Sequence, residues 1–430
     1  MEPWRSPSAD PPGSVRLLTG GPIGRFARLV VVRSATIVVV DFNPFSRAFQ
    51  EDPYPVYRWL RDEAPCYRNE ELGFYALTRY ADVVAASQQP LVFSSAEGTT
   101  LERIDPSAMP PMMIFMDPPS HDVQRRIVSR AFTPRSVAEL EPFIRATAAR
   151  YLEPLRDNGG GDFVEEFSAL LPMDVIMELI GVPSEDRNQL RRWIDGGLER
   201  ADEPPFVTNE AIECMAHAHE YWLELVADKR RHPDDSLMSR LCHVELTEGD
   251  ATSALNDMEV LGFCTLIGSA GTETLTKLLA SAAVLFARNP DQWALLRDDP
   301  ERAPAAVEET LRYWAPSQYQ GRVLTEEVVL HDTVMPVGSR VLLVTGSANR
   351  DEREYADPDR FDMERAPHLA TGFGHGVHFC LGAALARLEG KVGLQEFAAR
   401  FPRYEVDEAK AKRVHQSNVH GYGSVPFAAA

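Results

Sequence analysis

Helical spacing dominates the pattern of apolar and polar positions along this chain. Between Pro53 and Ala64, Val56, Tyr57 and Leu60 fall on one helical face behind a proline-rich start. Cys66 to Thr78 differs: aromatic and β-branched residues flank Gly73, which predicts a short hairpin. Residues 94–119 follow neither period, and their five prolines and four methionines (Met109, Met112, Met113, Met116) mark a long loop. A basic helix is predicted over Ser120 to Phe132, with Ser120 as its cap. Further helices are predicted over 135–157, 163–180, 184–200 and 210–232, the last two separated by Pro204-Pro205. A strand-rich stretch at 321–345 turns at Pro336-Val337-Gly338.

The longest signal runs from about Asn256 to Asn289, where Pro290 stops it. At ~1.5 Å per residue, such a helix spans roughly 50 Å. Leu261, Phe263, Leu266, Ile267, Leu278, Leu279, Val284 and Leu285 make it apolar nearly all round, which predicts burial through the core. Nowhere do strands and helices alternate as βαβ units, which argues against a doubly wound nucleotide-binding sheet. No low-complexity linker interrupts 41–430, so one large, mainly α domain with small β-sheets is expected there.

Composition narrows the function classes. A formal net charge of −20 repels phosphate backbones and argues against general nucleic-acid binding. Five cysteines, a sparse and odd number, do not make a disulfide framework and fit a reducing cytoplasm. Residues 1–40 read as an appendage, flexible or partly ordered, because proline and glycine crowd their first half. Within them Leu29–Val40 is apolar but short and carries Arg33, whereas a membrane span needs ~20 apolar residues. No membrane insertion is expected.

Two clusters carry candidate chemistry. The first is Ala270-Gly271-Thr272-Glu273-Thr274, in the middle of the longest helix. Glycine, hydroxyls and an acid are costly inside a buried helix, and together they can open its hydrogen-bond ladder into a polar groove. By itself this is as well read as a satisfied kink as a site where an acid and a hydroxyl face a ligand. The second is Gly372-Phe373-Gly374-His375-Gly376-Val377-His378-Phe379-Cys380-Leu381-Gly382, just before a helical run. Glycines at this density let the backbone approach a flat group, and a cysteine at a helix start is favoured as thiolate. A zinc site lacks a second Cys/His pair, a Cys–His nucleophile lacks the geometry, and a dinucleotide loop lacks its preceding strand. A thiolate binding a flat cofactor remains. His217 and His219 read as an exposed helix face, and Cys66, Cys214, Cys242 and Cys264 as structural thiols.

The pattern Phe373-Gly374-x-Gly376-x-His378-x-Cys380-x-Gly382 resembles the cysteine-loop signature of the cytochrome P-450 family of haem-thiolate monooxygenases. Four further stretches resemble that family's motifs in the expected order: Asp117 to His121 with Arg125 and Arg126, Ala270 to Thr274, Glu309 to Arg312, and Asp357 to Phe361. Leu275 and Thr272 depart from the commonest residues at their positions without touching the acid–hydroxyl pair. The resemblance covers 41–430 and implies the triangular P-450 fold, with haem b between the long central helix and the helix after the cysteine loop. It implies Cys380 as ligand to the haem iron and Phe373, Gly374, Gly382, Ala270 and Gly271 as haem contacts. His121, Arg125, Arg322 and His378 would hold the propionates, and Glu309, Arg312 and Arg360 a structural triad. Glu273 and Thr274 would deliver protons on the oxygen-binding side. Met112, Met113, Ile114, Phe263, Leu266, Ile267, Ser317, Gln318 and Tyr319, with Val419 to Val425, would line a pocket for a hydrophobic small molecule. The product would be a hydroxylated or epoxidised steroid, terpene, polyketide or fatty-acid-like compound. Electrons would come from a ferredoxin and an NAD(P)H-driven ferredoxin reductase, docking on a patch of Arg126, Arg130, Arg135, Arg387 and Lys391. The resemblance implies a cytoplasmic monomer using O2.

Overall fold

A computed structural model describes residues 29–33, 36–40, 42–103, 105, 109–129, 134–201, 206–248, 251–365, 370–416 and 418–430. The central helix runs Asp257–Arg288 and carries the core. Asn256 caps it: its side chain accepts from the Glu259 N–H while the Glu259 carboxylate accepts from the Asn256 N–H, which answers two otherwise orphaned donors. Pro290 then starts a separate helix, Pro290–Asp298. The predicted opening of the ladder does not occur. Thr272, Thr274 and Thr276 each donate their hydroxyl to the carbonyl four residues back, so the hydroxyls are satisfied without breaking the helix.

Around this rod pack Leu170–Ile180, Arg187–Leu198, Asn209–Arg231, Ala303–Tyr313 and Ala383–Arg400, with Glu141–Asp157 laid on Ala383–Arg400 and Leu170–Ile180. The run predicted at 135–157 is divided into Pro134–Ala138 and Glu141–Asp157, and that at 163–180 opens with a wider π turn, Val164–Ser168. The basic helix is Ser120–Ser129; residues 130–133, and so Arg130, lie outside the described residues.

The predicted hairpin forms from Cys66–Asn69 and Phe74–Leu77, with Gly73 at φ +68° supplying the left-handed turn residue. Phe74–Leu77 pairs in parallel with Arg340–Leu343, which pairs antiparallel with Gln320–Leu324, and Phe93–Ser94 closes the five-stranded sheet. A smaller sheet, which the apolar pattern did not reveal, joins Tyr404–Val406, Pro426–Ala429 and Gly160–Asp162. Leu29–Arg33 and Thr36–Val40 pair with each other. Among the described residues no helix is long and apolar enough to cross a membrane.

Candidate active site

The cysteine loop is built from a clamp behind it. Arg312, 3% exposed, makes two 2.7 Å bonds to the Glu309 carboxylate on the same helix face. Its remaining N–H groups donate to the carbonyls of Asn349, Pro358 and Arg360 at 3.0, 2.8 and 3.1 Å. The third cation is not Arg360: that side chain is 65% exposed and lies 3.7 Å from Asp362. Arg365 stands there instead, its Nε 3.5 Å from Glu309 and its side chain 15% exposed. A buried carboxylate needs a buried counter-charge, and Arg360 contributes only its carbonyl. Sequence reasoning also missed the link to the loop. The Asn349 side chain accepts from the Thr371 N–H and hydroxyl at 2.6 and 2.9 Å, fixing the turn Thr371–Phe373.

Gly374 follows at φ +71° and Gly376 at φ +69°, a region that side chains disfavour. A Cβ on Gly376 would also lie 2.3 Å from the Ser87 carbonyl oxygen. The backbone then returns so that the Cys380 N–H donates to the Phe373 carbonyl at 2.8 Å. Gly382 caps the helix Ala383–Arg400 and aims its N–H at the cysteine sulfur. Burial lifts the Cys380 thiol above its usual range, while that N–H and the charges of Arg125 and Arg387 pull the other way. A metal ion at the sulfur would supply the missing positive charge and hold it as thiolate. Arg387 lies over the Phe373 ring at 4.5 Å.

Beside the loop, four basic side chains converge. His121 is 1% exposed, 4.5 Å ring to ring from His378, and its Nε2 has no hydrogen-bond partner among the described residues. Arg125 donates to the Phe379 carbonyl at 2.6 Å, and buried Arg322 to that of Gly321 at 2.7 Å. Burial and the Arg340 charge lower Arg322 to about 10, and burial with Arg322, His121 and Arg125 lowers His378 to about 3. The neighbouring acids are otherwise engaged. Asp117 accepts from Ser94 and Ser95, and Asp122 holds the other nitrogen of His121. Two guanidiniums and two imidazoles converging here, with these acids engaged elsewhere, fit a ligand bearing carboxylates. A Cβ on Gly382 would meet no atom of the chain within 4 Å, so the chain's own packing does not demand that glycine. The residues fit a flat, doubly acidic cofactor with a soft metal.

In the central helix, Leu266, Ala270 and Thr274 share one face and remain only partly covered, with Ala270 exposed. Gly271 does not belong to this face. A Cβ there would lie 3.0 Å from Ile176, so its bareness lets the helix Leu170–Ile180 approach. Glu273 is buried and turned to Lys277, at 3.1 Å, and to Gln416. Phe263 and Ile267 are buried, and the loop carrying Met112, Met113 and Ile114 packs on the helix at Gly262. Ser317 bridges to Val419. Gln318 and Tyr319 are wholly buried: the Gln318 amide donates to Ala315 and packs on Gly346, and the Tyr319 carbonyl accepts from Asn418. They act as scaffold.

A cytochrome P450 family model matches residues 206–419. Putative cytochrome P450 123 of Mycobacterium tuberculosis is 43% identical over 393 residues, 90% of this chain and 96% of that protein. Vitamin D(3) 25-hydroxylase of Pseudonocardia autotrophica is 37% identical over 390 residues, 89% of this chain and 95% of that one. Among solved structures, cytochrome P450 CYP109Q5 from Chondromyces apiculatus aligns with a TM-score of 0.81 at 32% identity, over 90% of this chain and 97% of that one. CYP109E1 from Bacillus megaterium, in complex with testosterone, gives 0.81 at 30% identity over 89% and 99%. The fold and the cysteine loop are those of a haem protein, and the chain belongs to the cytochrome P450 family. It is a P450 monooxygenase, and its cofactor is haem.

Proposed function

We propose that this enzyme inserts one oxygen atom from O2 into a lipophilic small molecule of the steroid, terpene, polyketide or fatty-acid-like class, using haem b. The observation that carries the site is the convergence of His121, Arg125, Arg322 and His378 beside the loop of Cys380, with Asp117 and Asp122 already engaged. In this reading those four side chains hold the propionates, Cys380 binds the iron, and Phe373, Gly374, Gly382 and Ala270 pack against the ring. When bound, the haem supplies oxygen binding and electron-rich, thiolate-supported activation.

The chain's own residues do the rest. Thr274 donates its proton to the Ala270 carbonyl at 2.9 Å, so its oxygen faces the pocket as an acceptor that can hold a proton donor in place. Glu273, its neighbour, is the acid that passes protons to that point. Met112, Met113, Ile114, Phe263, Leu266 and Ile267 exclude water and bind the substrate by apolar contact, methionine adapting its shape to the ligand. The names of the relatives, a vitamin D(3) hydroxylase and a testosterone complex, favour a steroid-like substrate.

Electrons in this reading come from an acidic ferredoxin and its reductase. Support from the basic patch is reduced, because Arg387 pairs with Glu308, Lys391 with Glu141 and Arg135 with Glu139. Arg126, also of this patch, is exposed on the helix Ser120–Ser129. We read residues 41–430 as one catalytic unit with 1–40 appended, acting as a cytoplasmic monomer. The test is the absorption spectrum of the reduced, carbon monoxide-bound protein together with a titration of steroids. The thiolate signature and a substrate-induced shift are expected; absence of the signature overturns the assignment of Cys380.

A further inference from the structure

Asp117 joins the two ends of the loop 94–119. Its carboxylate accepts from the Ser94 hydroxyl on one oxygen and from the Ser95 N–H, at 2.9 Å, on the other. The Ser94 oxygen in turn accepts from the Ala96 N–H at 3.1 Å. At the start of the helix Ser120–Ser129, the Asp117 carbonyl accepts from the His121 N–H at 3.0 Å. Ser94 also pairs with Val323, the residue after Arg322 in the five-stranded sheet. The neck of the loop therefore touches both the helix of His121 and the strand of Arg322.

It reaches the cysteine loop as well. The hydroxyl of Ser95, a wholly buried residue, lies 3.2 Å from Nε2 of His378. A clasp made only to close the loop has no use for this hydroxyl, because the Ser94 hydroxyl and the Ser95 N–H already meet both oxygens of Asp117. Turned to His378, it decides which nitrogen of that ring stays available. A neutral imidazole has one donor and one acceptor nitrogen, so a hydroxyl donating to Nε2 leaves the proton on Nδ1. The neighbouring ring is held by its other nitrogen: Asp122 engages Nδ1 of His121 at 2.9 Å. Nε2 of His121 is buried without a partner among the described residues, which is costly unless a ligand meets it. The two rings lie 4.5 Å apart, so both face the same place.

We propose that Ser95, held by Asp117, is a positioning residue of the cofactor site: it donates to Nε2 of His378, so that this ring presents its Nδ1–H to a carboxylate of the haem. This rests on reading His378 as a propionate-holding residue. Through the same bonds the loop that carries Met112 and Met113 is tied to the residues that hold the cofactor.

The experiment uses the haem-loaded full chain, isotope-labelled at its histidine nitrogens, with Ser94→Ala, Ser95→Ala, Ser95→Thr and His378→Gln as variants. The reduced, carbon monoxide-bound protein is diamagnetic, so proton–nitrogen correlation NMR reads which nitrogen of each ring carries hydrogen; His378→Gln identifies the signal. In the parent His378 should carry its proton on Nδ1, and Ser95→Ala should lose that preference. Haem transfer to apomyoglobin should be roughly five- to tenfold faster in Ser95→Ala, the loss of one hydrogen bond, and return toward the parent in Ser95→Thr, which keeps the hydroxyl. The reduction potential of Ser95→Ala should become more negative, because a carboxylate without its donor leaves more negative charge near the iron. Ser94→Ala removes a bond of the clasp but not the hydroxyl on His378, and should transfer haem at close to the parent's rate. A His378 proton on Nε2, or a Ser95→Ala protein with the parent's haem transfer and potential, overturns the proposal. So does equal haem loss from Ser94→Ala and Ser95→Ala, which would leave the neck a clasp of the loop alone. If His378→Gln holds haem like the parent, His378 serves no propionate, and that reading falls whatever Ser95 does. If His378→Gln loosens the haem and Ser95→Ala does not, only the role of Ser95 falls.

Discussion

On the cysteine side, the Glu309 carboxylate meets Arg312 at two bonds, Arg365 at 3.5 Å and the Asp362 N–H at 2.8 Å, and Arg312 closes on three carbonyls besides. On the central-helix side, Leu266, Ala270 and Thr274 leave a face partly uncovered, and Lys277 and Gln416 hold the Glu273 carboxylate from two directions. The first arrangement removes freedom: the Glu309 carboxylate and the Arg312 guanidinium are held from several sides, and Asn349, whose carbonyl accepts from Arg312, fixes Thr371 at the start of the loop. The second leaves surface uncovered: Ala270 is exposed, and the Thr274 hydroxyl bonded to its carbonyl is only partly covered.

The comparison breaks first at Cys380. Cys380→Ser should abolish the thiolate signature of the reduced, carbon monoxide-bound protein and all monooxygenase turnover, because serine offers no soft anionic sulfur. A variant retaining both would show that the grip does not depend on the sulfur.

Next comes the clamp. Arg312→Ala leaves Glu309 buried without its main partner, at a cost of ~3–5 kcal/mol. Little haem-loaded protein should be recovered, and the melting temperature should fall. Arg365→Ala should lose less and Arg360→Ala about 0–1 kcal/mol, as befits a side chain 65% exposed. Equal losses from Arg360→Ala and Arg365→Ala would restore Arg360 to the triad.

A smaller, qualitative effect is expected at Thr274. Thr274→Ala should hold haem normally and consume reductant and oxygen, but release more peroxide per product, since the acceptor oxygen is gone. Unchanged coupling would take Thr274 out of proton delivery.

Two weaker effects sharpen the picture at its edges. The folded value of Asp195 is raised to about 6, so between the ordinary aspartate range and pH 6 the folded protein binds more protons than the unfolded one. Stability contributed by Asp195 therefore falls as pH rises through that window. Asp195→Asn should melt a few degrees above the parent at pH 8 and equal to it at pH 4; calorimetry at the two values decides. Reversing Arg126 and Lys391 to Glu should slow first-electron reduction by ferredoxin modestly, because Lys391 already faces Glu141 and exposed charges are screened within ~8 Å. Identical salt dependence for parent and variant would remove this face from docking.

Local rules wrote much of this protein. The capped central helix, the hairpin at Gly73, the turn at Pro336 to Gly338 and the glycine-framed cysteine loop follow from spacing, caps and backbone freedom, which neighbouring residues determine among themselves. What the chain could not announce was which distant groups would meet. Arg360 and Arg365 look alike in sequence; only the fold turns one to water and the other to Glu309. Gly271 lies in the motif of the central helix but serves its packing against Ile176. Lys277 and Gln416 carry no periodic signal, because Gln416 reaches Glu273 across 143 residues of chain. Charge pairing of that kind is decided by burial, and burial exists only once the helices and the carboxyl-terminal strands have packed.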